Sequence, residues 1–239
     1  MPLVRRNDTA MRILDVALRL VQVQGFNAFS YADVSAELRI TKASLHHHFP
    51  TKAALGKALI TRYTESFLAA LTGIDAGGGD PLSKLRDYAE IYVSVLRQER
   101  MCLCGMLAAE YQTLPPPMQE AVIGFFDRNE TWLEDVLGQG RQDGSLQFAG
   151  SARDTARMIV GGLEGAMLVA RPYGDIARFQ AAAAHLLAGL APAATAAFLV
   201  SSLEGAMLVA RAFGGVAKLE SVVETLLANL VAKRASSVS

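Results

Sequence analysis

Apolar positions recur at helical spacing along most of the chain, and strand-like alternation is almost absent. Leu14, Ala17, Leu18 and Val21 make one stripe within a first helix expected over residues 8–24, and Gly25 supplies its stop. Ser30, followed three positions later by Asp33, predicts a capping box and a helix to about Leu38. Thr41 caps a seven-residue helix over residues 42–48. Pro50 ends it, because the residue before a proline is pushed out of the helical region. Thr51 opens a longer helix, expected to about Leu71. After the glycines at 77–79, Asp80 and Pro81 open the next, expected to about Arg100. A shorter helix is expected over residues 103–113, and the prolines at 115–117 break the chain. A long helix then runs to about Leu137, with Gly138, Gly140 and Gly144 loosening its exit. Ser151 with Asp154 opens another that ends near Arg171.

The last third contains a repeat. LEGAMLVAR occupies residues 163–171 and again 203–211. Aligned without gaps, residues 155–190 and 195–230 share 18 of 36 positions, too many for common helical composition alone. The pattern predicts a tandem duplication of one helical hairpin. Gly161, Gly162, Gly165 and Ala166 form a small-residue face in the first copy, matched by Ser201, Ser202, Gly205 and Ala206 in the second. Small residues let helix axes approach closely, as in a bundle of hairpins. Ordinary packing within one chain would use the same face.

Composition changes this picture little, but charge distribution does. Hydrophobic residues make up 51% of the 239, enough for a core. The net charge is zero, yet residues 1–62 carry nine Lys/Arg and four acids, a head of +5 on a body of −5. A basic head suits a polyanion at one end of the molecule. Cys102 and Cys104 cannot build a disulfide framework. The first residues show no apolar signal core. The low-charge stretch 181–198 is broken by Gly189 and Pro192, so it reads as a helix pair and not a membrane span. A cytoplasmic protein without a membrane partner is the expectation.

The chemistry concentrates at residues 30–52. A short helix after a tight turn can enter the major groove with its first residues at base edges or phosphates. Thr41 and Ser44 offer hydroxyl donors, Lys42 a point charge, and His46 and His47 ring nitrogens. Lys52 stands at the next helix start, where amides also favour phosphate. Successive helical positions lie about 100° apart, so His46, His47 and His48 do not converge on one metal ion. No metal and no cofactor is expected. His48 is expected to pack inward while the other two face outward.

These residues resemble a known family. Residues 13–60 are similar to the N-terminal domain of TetR/AcrR-type transcriptional regulators, through Ser30, Val34-Ser35, Leu38-Arg39-Ile40-Thr41, His46-His47-His48-Phe49, Pro50 and Lys52. The resemblance covers about a fifth of the chain. It implies an all-α fold: a three-helix helix-turn-helix DNA-binding domain at residues 1–55, then an effector-binding and dimerisation domain at 56–190. The repeat adds a duplicated hairpin at 191–239. The DNA-binding set it implies is Ser30, Tyr31, Thr41, Lys42, Ala43, Ser44, His46, His47 and Lys52. Two departures stand out. Arg39 occupies the place where the turn usually has glycine, and a positive φ there strains a residue with a Cβ. His46 replaces the common tyrosine.

The same resemblance implies a homodimeric repressor on double-stranded operator DNA, released by a small apolar or electrophilic effector. The alternative is a helical sensor module of this fold that no longer binds DNA. Pocket candidates are Tyr88, Tyr92, Met101, Cys102, Cys104, Met106, Tyr111, Phe125, Phe126, Trp132 and Met158, since Met and aromatic residues make adaptable apolar walls. They are equally the residues of a plain core. Expected interface residues are Gly162, Gly165, Ala166, Met167 and Ala170, with the repeat's Gly205, Ala206, Met207 and Ala210. Cys102 and Cys104, two apart on a helix, face different ways. Arg97 and Arg100 nearby in sequence would favour a reactive thiolate, whereas burial would make both thiols inert. No G-x-S-x-G, H-E-x-x-H, P-loop or paired-cysteine metal motif occurs, so an enzyme is not expected.

Overall fold

Local caps account for most helix starts. The structure, a computed structural model, describes residues 2–191 and residue 224. Helix α1 spans Pro2–Gln24, α2 Tyr31–Leu38 and α3 Lys42–His48. Asp33 accepts from both the amide (2.7 Å) and the hydroxyl (2.8 Å) of Ser30, which fixes the start of α2. Thr41 Oγ1 accepts from the Ser44 amide at 3.1 Å and starts α3. Between them Arg39 adopts φ 53°, ψ 43°, the left-handed turn anticipated for this position. Ile13, Ala17, Val21, Phe29, Val34, Leu45 and Leu55 bury together and lock these helices into a head.

Helix α4 spans Lys52–Ala76 and crosses the expected domain boundary without interruption, so head and body share one helix. It outruns Leu71 because Asp75 near its end is held by Trp132 Nε1 (2.8 Å) and Lys84 Nζ (2.7 Å). Helix α5 spans Pro81–Leu96 and stops short of Arg100. Glu99 takes φ 58°, and the Arg100 amide turns back to the Val95 carbonyl at 3.2 Å. Helix α6 spans Leu103–Ala109, and a 3₁₀ turn follows at Tyr111–Thr113. Helix α7 spans Pro116–Gln142 and runs straight through two glycines expected to weaken it. Gly140 is there for closeness: a Cβ on it would sit 2.4 Å from Leu146. Only Gly144, at φ 77°, breaks the chain. Helices α8 (Ala152–Ala170) and α9 (Ile176–Ala188) form the hairpin.

Helix α8 lies at the centre of the body. Its residues 155–167 are buried except for Arg157, and α7 and α9 are its main neighbours. The apolar core is continuous from head to body among the described residues. No helix among the described residues is long and apolar enough to cross a membrane. The second repeat copy, including Gly205, Ala206, Met207 and Ala210, lies outside the described residues.

Candidate nucleic-acid interface and sensor core

The outer face of the head is built by α3. Leu45 points inward, fully buried, and fixes which way the other side chains turn. Thr41, Lys42, Ala43, His46 and His47 are exposed, Ser44 is half-buried, and His48 is partly covered beside the His47 ring. Thr41 uses its oxygen to accept from Ser44, which leaves its own proton free to donate outward. His46 places Nδ1 3.1 Å from the Pro50 carbonyl and its ring 4.8 Å from that of Tyr31, so the imidazole is oriented by the protein. Helix α3 therefore offers one ammonium, hydroxyl donors and two imidazoles on a single outward face.

Three members of the expected set are used inside the head. The Tyr31 hydroxyl donates to the Phe49 carbonyl at 2.8 Å, and burial pushes its pKa up to about 12. The Ser30 hydroxyl donates to Asp33. Lys52 places Nζ 4.6 Å from the centroid of Phe26 and 4.5 Å from that of Phe29, half-buried over the α1–α2 turn. Desolvation lowers its pKa, opposed by Glu110 and Asp33. These residues shape the head from within. Of the head's other cations, Arg19 pairs with Glu37 and Arg62 with Asp15.

The α1–α2 turn is tied to the body by one carboxylate. Glu110, just past α6, accepts from the Phe26 amide at 2.7 Å and from the Asn27 amide at 3.2 and 3.3 Å. Gly25, at φ 91°, lets it approach: a Cβ there would lie 2.7 Å from Glu110 Oε1. Asn27 Nδ2 donates to Thr113 Oγ1 at 2.7 Å, and the Met101 amide to the Gln22 carbonyl at 3.2 Å. Arg171, at the end of α8, donates to the Val23 carbonyl and to Met106 Sδ. The end of α1 is thus gripped by α6 and α8 together. Sequence reading missed Glu110, because nothing local marks its partners more than 80 positions away.

Above this junction lies an aromatic core. Phe67 meets the rings of Tyr88, Tyr92 and Phe125 edge-on at 5.2–6.2 Å. Trp132 stacks on Tyr88, Phe179 on Tyr92, and Phe126 touches Phe125. The Tyr88 hydroxyl lies 3.3 Å from that of Tyr92 and donates to Asn129 Oδ1 at 3.2 Å. Of the expected pocket residues, Tyr88, Tyr92, Cys102, Phe125, Phe126 and Trp132 join this cluster, with Cys102 linked by the Tyr63 hydroxyl 3.6 Å from its sulfur. Met101, Cys104 and Met158 are buried in the same continuous core. Met106 and Tyr111 stand apart: the first faces Arg171, the second lies in the 3₁₀ turn by the head.

Two buried acids complete the core. Glu130 on α7 lies 3.4 Å from Arg157 Nε and 4.0 Å from Arg153. Glu164 on α8 is 3% exposed, accepts from Cys102 and Tyr92, and has Oε1 without a hydrogen-bond partner. Burial raises its pKa to about 7 against the lowering effect of those two bonds. Burial also lifts both thiols well above the usual range, and Glu164 adds to the rise. The thiolate-favouring setting expected from Arg97 and Arg100 is replaced by its opposite: Arg97 is exposed and pairs with Glu90. The expected interface residues Gly162, Gly165, Ala166, Met167 and Ala170 are all buried within this single chain. Met167 Sδ accepts from the Cys102 amide at 3.1 Å. That face of α8 is closed inside the subunit.

With this geometry in place, the likenesses are specific. The family model described as "Bacterial regulatory proteins, tetR family" matches residues 13–59, and that of the "Tetracyclin repressor-like, C-terminal domain" matches 81–186. A TetR-family transcriptional regulator from Agrobacterium tumefaciens is 34% identical with a TM-score of 0.76, covering 78% of this chain and 99% of that one. A TetR transcriptional regulator from Legionella pneumophila is 33% identical with a TM-score of 0.67, over 73% of this chain and 93% of its own. The HTH-type transcriptional repressor NemR of Escherichia coli is 24% identical over 75% of this chain and 92% of its own length. Sequence, fold and an outward-facing α3 agree: the chain belongs to the TetR family of DNA-binding transcriptional regulators.

Proposed function

We propose that this protein is a homodimeric, cytoplasmic repressor that binds double-stranded operator DNA through α3 and lets go when a small molecule enters its aromatic core. The observation that carries the reading is the outward face of α3, with Lys42, Ala43, His46 and His47 exposed while Leu45 anchors the helix from behind. Thr41 and Lys42 are suited to phosphates, and Ala43, Ser44 and His47 to base edges. One head spans too few base pairs for specificity, so two copies at groove spacing are required. The closed α8 stripe does not carry the dimer reading; the need for paired heads does. NemR and TetR, named as repressors among the relatives, support the direction of regulation.

Release follows from the junction. A ligand that shifts α6 against α8 moves Glu110, and with it the Phe26 and Asn27 amides at the end of α1. Only the difference in ligand affinity between the DNA-fitting and DNA-avoiding arrangements does work, typically about 1–3 kcal/mol. The test is selection of random duplex fragments by the purified protein, followed by salt titration of the winners. Retention of related, two-fold symmetric fragments that weakens with salt is expected. The variant Lys42→Ala should weaken every fragment and flatten the salt slope by about 1. No retention at low salt would leave the alternative, a sensor module of this fold without DNA.

A further inference from the structure

Glu164 is a buried acid that packing alone does not explain. It sits in the middle of α8 with Oε1 unpartnered, and no Lys, Arg or His of the described residues comes within ion-pair distance. The fold makes room for it: a Cβ on Gly105 of α6 would lie 2.1 Å from Glu164 Oε2. A buried carboxylate lacking a counter-charge is costly, so it is retained where another group supplies the charge or the bond.

Its surroundings show which group. Tyr92 and Cys102 donate to the carboxyl. The Tyr88 hydroxyl joins that of Tyr92, and the Tyr63 hydroxyl reaches Cys102. Phenol faces carry negative potential and attract cations, and polarizable sulfur tolerates them. We propose that Glu164, with Tyr63, Tyr88 and Tyr92, is the recognition site for an organic cation of the quaternary ammonium or protonated amine class. This names the effector class of the release mechanism above and rests on it. An anion meets an acid it cannot satisfy, and a neutral apolar molecule leaves that acid buried and unpaired. A cation neutralises it, and one placed between α8 and Gly105 bears on the helix that ends at Glu110.

The groups facing Glu164 limit what titrates. Helix α4 contributes Tyr63, α5 Tyr88 and Tyr92, the start of α6 Cys102 and Cys104, and α7 Glu130 with its arginine partners. The tyrosines and thiols are all raised, by burial first, and stay neutral at physiological pH. The carboxyl of Glu164 is the group that changes charge near neutrality.

Two isosteric pairs provide the test: benzyltrimethylammonium against neopentylbenzene, and choline against 3,3-dimethyl-1-butanol. Binding is read from the single tryptophan, Trp132, which stacks on Tyr88. In the wild-type protein at about pH 8, at least one cation should bind about tenfold more tightly than its neutral twin. Glu164→Gln should abolish that preference and leave neutral binding unchanged. The wild-type preference should also fall as pH drops through about 7, a measurement that needs no variant. No cation preference in either pair, or a preference equal in Glu164→Gln and unmoved by pH, overturns the proposal. Fragment retention by the same preparation separates the two readings. DNA bound without cation preference sinks this inference alone, and absence of DNA binding sinks the regulator reading beneath it.

Discussion

Glu130 and Glu164 are both buried acids on adjacent helices, yet the fold treats them oppositely. Glu130 faces two arginines supplied by α8, and Glu164 on that same α8 faces tyrosines, thiols and a glycine. Burial alone therefore says little about role. A paired acid joins α7 to α8, whereas an unpaired one keeps a free-energy difference available for whatever later satisfies it. The lesson extends to the head, where Lys52 is turned onto Phe26 and Phe29 and Lys42 stands outward.

The comparison breaks most visibly at the arginines. Arg157→Ala should leave Glu130 buried with only the more distant Arg153, a loss of about 3 kcal/mol in denaturant unfolding. An effect below a few tenths would mean that the two acids are equivalent after all. Glu164 should behave in the other direction with pH. Its carboxyl is raised from 4.5 to about 7, so between those values the folded protein holds a proton that the unfolded chain has released. Stability therefore falls as pH rises through that window, by up to about 3 kcal/mol. Glu164→Gln should flatten this fall, so the variant gains on wild type from acid to neutral pH. Parallel curves for the two proteins would show that Glu164 is not an unpaired acid.

The strut sharpens the contrast between a residue that joins and one that senses. Glu110→Ala removes a charged acceptor from two amides. Hydrogen exchange at Phe26 and Asn27 should accelerate by the equivalent of about 2 kcal/mol, with the α7–α8 core unchanged. Unaltered exchange would place the head–body coupling elsewhere. The smallest effect is expected at the turn. Arg39→Gly relieves a left-handed residue that carries a Cβ and should stabilise the head by about 1 kcal/mol. Destabilisation would mean that the Arg39 side chain has a partner of its own.

What the sequence showed plainly was whatever depends on neighbours a few positions away. The Ser30–Asp33 box, the Thr41 cap, the strained turn at Arg39 and the Pro81 start all follow from local backbone chemistry, and each stands where its pattern placed it. Residues used across long separations were hidden. Glu110 reads as an ordinary surface acid, and Lys52 as a phosphate ligand, until Phe26 and Phe29 are brought beneath it. The α8 stripe was legible as a close-packing face, but spacing cannot tell whether the partner is the same chain; Met167 against Cys102 shows that here it is. Glu164 had a faint signal, a lone acid inside the apolar stretch 161–170.

Site-directed cleavage reports most directly on whether α3 is the DNA-reading element. Cys102 and Cys104 are buried, so Ala36→Cys, exposed on α2 beside the turn, gives a single accessible thiol for an iron–EDTA label. On a selected operator, cleavage in two symmetric clusters, one per half-site and centred about one helical turn or a multiple of it apart, is the predicted result. Operator that is bound by the labelled protein yet left uncut near both half-sites would contradict the account.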